Sequence, residues 1–146
     1  MTTINAYLTF DGNCEEAFEF YRQAIGGEFS YLARFSEMPT DPGQSIPESE
    51  ANKIMHVSLP IGDTVLMGSD RSDVFDAPNF TQGNNFSLSL APESKEESDR
   101  LFAALSEGGN VVMPMADTFW NAYFGMFVDK FGIQWMINQE MEPEGE

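Results

Sequence analysis

At 146 residues the chain is sized for one compact domain or two small fused modules, and with 42% hydrophobic and 13% aromatic residues it carries too much core material for a disordered segment. Its 24 acidic against 7 basic side chains give a formal net charge of −17, which sets the surface against nucleic-acid phosphates and anionic lipid. No apolar run reaches the roughly 20 residues of a membrane span, the N-terminal residues lack the basic-then-apolar order of a secretory leader, and the lone cysteine, Cys14, cannot form an internal disulfide, so a cytoplasmic setting is the simplest expectation.

In chain order, residues 4–10 alternate and predict a strand. Asn13 with Glu16 three residues on predicts a capped helix over 13–25, buried through Phe18, Tyr21, Ala24 and Ile25 and closed by Gly26-Gly27. Cys14 falls in that helix's first turn, a place that lowers a thiol pKa; no partner residue stands beside it in sequence, so it reads as incidental. Residues 28–36 predict a second strand, with Phe29, Tyr31, Ala33 and Phe35 on one side. Residues 37–52 hold three prolines, a glycine and only Met38 and Ile46 as large apolar side chains. They read as a long loop that covers a cavity mouth or crosses to a partner subunit and is more mobile than the strands.

Residues 53–60 alternate again, Met55, Val57 and Leu59 on one face and Ile54, His56 and Ser58 on the other. A turn at 61–63 returns the chain through a strand at 64–69, giving a hairpin, and 70–83 form an irregular connection. Residues 84–90 put Asn85, Ser87 and Ser89 opposite Phe86, Leu88 and Leu90. Ser94 with Glu97 is a capping-box signature for a helix with Leu101, Ala104 and Leu105 as its stripe and Phe102 beside them. Gly108-Gly109 supply the positive φ that ends it. Residues 110–115, with a proline, read as an edge strand or strand end. A turn at 117–121 leads to a hairpin of 122–128 and 133–138 around 129–132, where Asp129 and Gly132 suit turn dihedrals. Trp135 lies with Ile133 and Ile137 on the helix-facing side and belongs to the core. Glu140, Glu142, Glu144 and Glu146 make an acidic tail, residues 140–146, expected to fray.

The order strand, helix and three strands therefore occurs twice, and the helices with their double glycines match at an offset of roughly 80 residues. This predicts an α+β fold of two βαβββ modules, about 1–70 and 84–140, within one chain-length domain.

Tyr7-Leu8-Thr9-Phe10-Asp11-Gly12-Asn13 through Phe20-Tyr21, Met55-His56 leading to Val65-Leu66-Met67-Gly68, and Gly125-Met126-Phe127-Val128-Asp129-Lys130-Phe131-Gly132-Ile133-Gln134-Trp135 carry a resemblance. Together with the doubled module they resemble the vicinal oxygen chelate superfamily of glyoxalase I, extradiol dioxygenases and bleomycin and fosfomycin resistance proteins. Within it they resemble the PhnB-like branch, which also bears a 3-demethylubiquinone methyltransferase-like name. The resemblance implies an open, curled mixed sheet in which each module forms half of a barrel, with helices outside and a small-molecule cavity inside, and a homodimer. Metal-dependent members place one His or Glu ligand on the first and last strand of each module. Those positions fall here on Asn5, Met67, Asn85 and Met136. None is a His, Glu, Asp or Cys, and thioethers and amides are poor ligands for hard divalent cations, so no tightly bound divalent metal and no cofactor is expected. The glycine-rich strand-to-helix turn of a doubly wound cofactor fold is absent, as are a Gly-x-Ser-x-Gly elbow and the second histidine of a larger site.

With a barrel implied, the parity of the strands turns Asn5, Tyr7, Thr9, His56, Ser58, Met67, Asn85, Ser87, Gln134 and Met136 inward. This mixed lining suits an uncharged or weakly polar organic ligand, or it simply packs the barrel shut. His56, the only histidine, is a candidate general base or ligand partner, or a histidine satisfied by a neighbouring hydroxyl or carbonyl. Trp120 enters a strand from a turn and suits stacking on a flat ligand, a dimer contact or the core. Three functions stay open: a small-molecule-binding protein without a catalytic metal; a metal-free isomerase or lyase using His56 as base with Asn85 or Tyr7 as polariser; and a glyoxalase-type metal-dependent lyase. The ligand-binding candidates are thus Asn5, Tyr7, His56, Met67, Asn85, Ser87, Trp120 and Met136.

Overall fold

The computed structural model describes residues 2–39, 41–43, 45–72 and 80–141. The chain divides into two compact units, Met1–Thr81 and Gln82–Glu146. Each is a four-stranded mixed sheet with helix on one face, so the expected α+β class holds. Among the described residues no helix is long and apolar enough to cross a membrane. The acidic tail beyond Met141 and residues 73–79 of the 70–83 connection lie outside the described residues, so those expectations stay as stated.

The first unit runs β1 (Tyr7–Phe10), α1 (Cys14–Ile25), β2 (Tyr31–Arg34), the short α2 (Glu48–Ala51), β3 (Ile54–Ile61) and β4 (Thr64–Asp70). Its sheet order is β1-β4-β3-β2, with β1 and β4 parallel and the other pairs antiparallel. The alternation of β1 and β4 places Leu8, Phe10, Leu66 and Gly68 on the face that meets the buried stripe of α1, Ala17, Phe18, Tyr21 and Ala24. Gly68 marks the closest approach, since a Cβ there would sit 2.6 Å from the Phe18 ring and 2.7 Å from the Leu8 carbonyl oxygen. Arg34 ties β2 to the same helix through two hydrogen bonds to the Glu15 carboxylate, at 3.0 and 2.7 Å.

Three expectations for this unit need correction. The Asn13 side chain makes no capping bond to α1. The donors are met instead by Asp70, whose Oδ1 accepts from the Gly12 and Cys14 amides at 3.1 and 2.9 Å while Oδ2 accepts from the Ile54 amide at 2.8 Å. The parity of β3 breaks where it starts. Ala33 pairs with His56 and Arg34 with Ile54, so Met55 is an extra, bulged residue. The bulge returns Ile54 to the helix-facing side with Val57 and Leu59, all three buried, and leaves Met55 only partly covered. Finally, the 37–52 loop is not structureless. A 3-10 turn at Phe35–Glu37 precedes it, Pro47 opens α2, and Glu50 is buried beside Lys53 at 2.8 Å.

The second unit repeats the plan with β5 (Leu88–Leu90), α3 (Lys95–Ser106), β6 (Asn110–Asp117), β7 (Ala122–Val128) and β8 (Gln134–Glu140), in the order β5-β8-β7-β6. The Ser94 cap forms as its spacing dictates, its Oγ accepting from the Glu97 amide at 3.1 Å. Leu101 and Leu105 are buried with Ile133, Trp135, Ile137 and Phe127. Asp129 is buried too, accepting from the Phe131 and Ile133 amides at 2.8 and 3.0 Å and from the Trp135 indole N–H at 2.8 Å. The turn aspartate is therefore also the polar partner that lets a tryptophan sit 1% exposed in the core. Of the two glycines after α3 only Gly108 has a positive φ, at 78°. Gly109 is there for space: a Cβ would land on the Val128 carbonyl oxygen and within 2.9 Å of the Asp129 backbone.

Candidate functional site

In the first unit, the sheet face turned away from α1 carries one continuous cross-strand row. Tyr7 pairs with Met67, Met67 with Ser58, and Ser58 with Tyr31. Residues opposed in a ladder share a face, so Tyr7, Met67, Ser58 and Tyr31 stand in line across all four strands. His56 lies one step along β3 on the same face, opposite the small Ala33. Its ring is 5.7 Å from that of Tyr7 and 5.7 Å from that of Tyr31, tilted 42° and 56° to them. Its Nε2 is 2.8 Å from the Ser58 hydroxyl. An imidazole flanked by two phenol rings and held at one nitrogen has a fixed plane, which leaves the other nitrogen for a ligand. Both tyrosines are about half exposed, 48% and 52%, so the platform is accessible within this unit.

Tyr7, His56 and Met67 thus come together as the sequence implies. Asn5 does not join them: it lies before β1, and its side-chain oxygen accepts from the Val65 amide at 3.1 Å. Tyr31 was missed, although its parity signal was present in the alternation of 28–36. Which side of that strand met the helix became visible only through Arg34 and Glu15.

In the second unit the corresponding face carries Met136, opposed to Ser89 on β5 and to Met126 on β7. Asn85 sits in an exposed bend and Ser87 just ahead of β5, so neither lies in the ladder beside Met136. Trp120 donates to the Asn138 side-chain oxygen at 3.3 Å and meets Phe124 edge-on at 5.5 Å. This places it on the same face and outside the core, and it stays 49% exposed. Asn121, the one non-glycine with positive φ among the described residues, shapes the turn that presents it.

A family model described as 3-demethylubiquinone-9 3-methyltransferase matches residues 2–138. The chain belongs to that family. Proteins similar to it include protein PA1353 from Pseudomonas aeruginosa, with 41% identity, a TM-score of 0.82 and coverage of 97% of this chain and 100% of that one. Protein YjdN of Escherichia coli (strain K12) is 33% identical over 92% of this chain and 93% of that protein. A PhnB protein from Bacillus cereus is 27% identical at a TM-score of 0.72, covering 94% and 99%. A glyoxalase/bleomycin resistance/dioxygenase family enzyme from Burkholderia phytofirmans PsJN shares the fold at 16% identity and a TM-score of 0.59, covering 93% and 98%. The PhnB-like branch and the vicinal oxygen chelate fold stand as the resemblance implied.

For a 3-demethylubiquinone-9 3-methyltransferase family member, two fits to the fold's chemistry can be tested on the side chains. The strand positions opposed to Met67 and Met136 are Tyr7 and Ser89, so the register replaces Asn5 and Asn85 in the row without adding a carboxylate or imidazole. Among the described residues no three His, Cys, Asp or Glu side chains gather. Phenol, hydroxyl and thioether donors do not fit a hard divalent cation. Nor does a methyl-donor cofactor find a doubly wound parallel sheet with a glycine-rich turn, since each sheet here has a single parallel pair.

Cys14 reverses its expectation. It is fully buried, and desolvation first, then the charges of Asp70 and Glu15, push its thiol well above the ordinary range rather than below it. The native protein should therefore resist alkylation by iodoacetamide at about pH 8, near the ordinary thiol pKa, while the urea-unfolded chain reacts with one equivalent. Mass spectrometry of the two samples checks this, and rapid labelling of the native protein would contradict the buried, protonated thiol.

Proposed function

We propose that the protein binds a small organic molecule against the helix-remote face of its first sheet and does so without a catalytic divalent metal. The observation that carries this reading is His56, fixed between Tyr7 and Tyr31 with one nitrogen on Ser58 and the other available. Two aromatic faces and a thioether, Met67, give adaptable apolar contact, and one imidazole nitrogen orients the ligand. The net charge of −17 disfavours nucleic acid as an alternative occupant. A homodimer, as the superfamily resemblance implies, and a cytoplasmic setting, the simplest reading of a single cysteine, complete the proposal.

A second reading is supported by the same geometry. A metal-free isomerase or lyase would use His56 as general base with Asn85 or Tyr7 as polariser, and Tyr7 shares the His56 face of the first sheet. A glyoxalase-type lyase would need donors that neither row supplies.

Native mass spectrometry of protein purified without dialysis from its own host tests the binding reading. The wild type is expected to carry an organic mass that dissociates on unfolding. Tyr31→Ala should weaken retention by about tenfold, the scale of losing one aromatic contact. His56→Ala should weaken it similarly, and a change at exposed Glu107 should leave it unchanged. If Tyr31→Ala and His56→Ala both retain the mass fully, the face is not the binding site.

A further inference from the structure

At one end of the second sheet's helix-remote face, three aromatic rings stand together outside the core. Trp120 meets Phe119 edge-on at 5.1 Å and Phe124 edge-on at 5.5 Å, with ring planes 90° and 71° apart. In the β7–β8 ladder Phe124 opposes Asn138 and Ala122 opposes Glu140, so Phe124, Asn138 and Glu140 share this face. The Trp120 indole N–H, bonded to Asn138, sets the cluster beside the exposed Glu140. The turn that presents the rings is pinned at both ends. The Thr118 amide donates to the Ala122 carbonyl oxygen at 2.9 Å, and the Asn121 side chain donates to the Met141 carbonyl oxygen at 2.8 Å. Phe119 is 97% exposed on that fixed turn, so its ring adds nothing to the core.

Among the described residues no basic side chain lies over any of these three rings. Lys130 lies over Phe131, and the other six of the seven basic side chains are in ion pairs. Tyr123, bonded to Asp99 of α3 on the opposite side of β7, shows the contrast, with the Lys95 ammonium 4.9 Å from its ring centre. We propose that Trp120 and Phe124, with Phe119 at the rim and Glu140 beside them, bind a small quaternary ammonium ion of the choline kind. Ring planes 71° apart form a corner. A cation seated in it lies within about 6 Å of both ring centres, the range in which a ring face attracts positive charge. A quaternary nitrogen has no N–H to satisfy, so ring faces and one nearby carboxylate suffice. The net charge of −17 raises the local concentration of any cation. A metal ion does not fit, since no three His, Cys, Asp or Glu side chains gather among the described residues. The site is built within the second unit and does not rest on the first-sheet reading.

The test uses the full nitrogen-labelled chain, titrated with choline chloride at matched ionic strength and followed by magnetic resonance. The two tryptophans give two indole N–H signals. That of Trp120 should shift and saturate with millimolar choline, while that of Trp135, bonded to Asp129 in the core, stays in place. The tert-butyl analogue of choline, neutral and of the same shape, should bind about tenfold more weakly, because it loses the attraction of the ring faces and the carboxylate. Phe124→Leu keeps an apolar side chain without a ring face and should weaken choline binding by about tenfold. Glu140→Gln should weaken it by about threefold at low salt and less at high salt. Glycerophosphocholine, the same ammonium beside a phosphate, should bind more weakly than choline, because its anion meets Glu140. The proposal is overturned if the Trp120 signal does not move, if the neutral analogue or glycerophosphocholine binds as tightly as choline, or if either variant binds choline like wild type. Should Phe124→Leu prove unfolded by circular dichroism, the wild-type preference for choline over its neutral analogue decides alone.

Discussion

Asp70→Ala should lower stability by about 4 kcal/mol, or roughly 10 °C in Tm for a chain of this length. The carboxylate holds three backbone amides, Gly12 and Cys14 at the entry to α1 and Ile54 at the entry to β3. It is itself 2% exposed. Truncation leaves these donors without an acceptor where little water can reach, and each buried orphan costs about 1–3 kcal/mol. Asp70→Asn keeps one oxygen but turns an N–H₂ toward a donor, so it should lose about half as much. Urea unfolding with matched m-values measures both. A loss below about 1 kcal/mol for Asp70→Ala would show that other groups take over the three amides.

Gly109→Ala should be damaging on a similar scale, by about 3 kcal/mol or more, and Gly108→Ala should cost only about 1 kcal/mol. The two neighbours are glycine for different reasons. At Gly108 the backbone has φ +78°, and a methyl group would meet only the flexible Lys130 side chain at 3.4 Å. At Gly109 the φ is ordinary, but the strand enters against β7 so closely that a methyl group would fall on the backbone of Val128 and Asp129. Side chains rotate away and carbonyls in a ladder do not, so the second change must prise β6 from β7. Comparable losses for the two variants would contradict this account.

The parts of the fold that local spacing controls were legible. Ser94 caps α3 because its acceptor and the Glu97 amide are three residues apart, and the period-two alternation of β1, β4 and β8 set their faces correctly. Where the controlling partner is remote, the sequence is silent. Asn13 looks like a cap, but the chain supplies Asp70 from 56 to 58 residues away. Ile54 reads as sharing a face with His56 because a bulged residue carries no local mark, and the register of β2 against β3 alone shows it. Pro47 and the acidic residues after it looked like loop; the buried Glu50 with its neighbour Lys53 makes one helical turn of it. For the candidate site, Tyr7, His56 and Met67 were readable from parity. Tyr31 needed the helix side of β2.

The two helices differ in when their caps exist. During synthesis α3 emerges with Ser94 already ahead of it and can begin to form by itself. Helix α1 emerges well before Asp70 is made, and the strand that carries Asp70 must then find β1 in parallel across the intervening chain. Parallel closure over such a span is slow. The N-terminal unit, although first out of the ribosome, therefore completes its helix start only after its own last strand has been translated, and until then its apolar stripe of Phe18 and Tyr21 is the part of the nascent chain most in need of shelter.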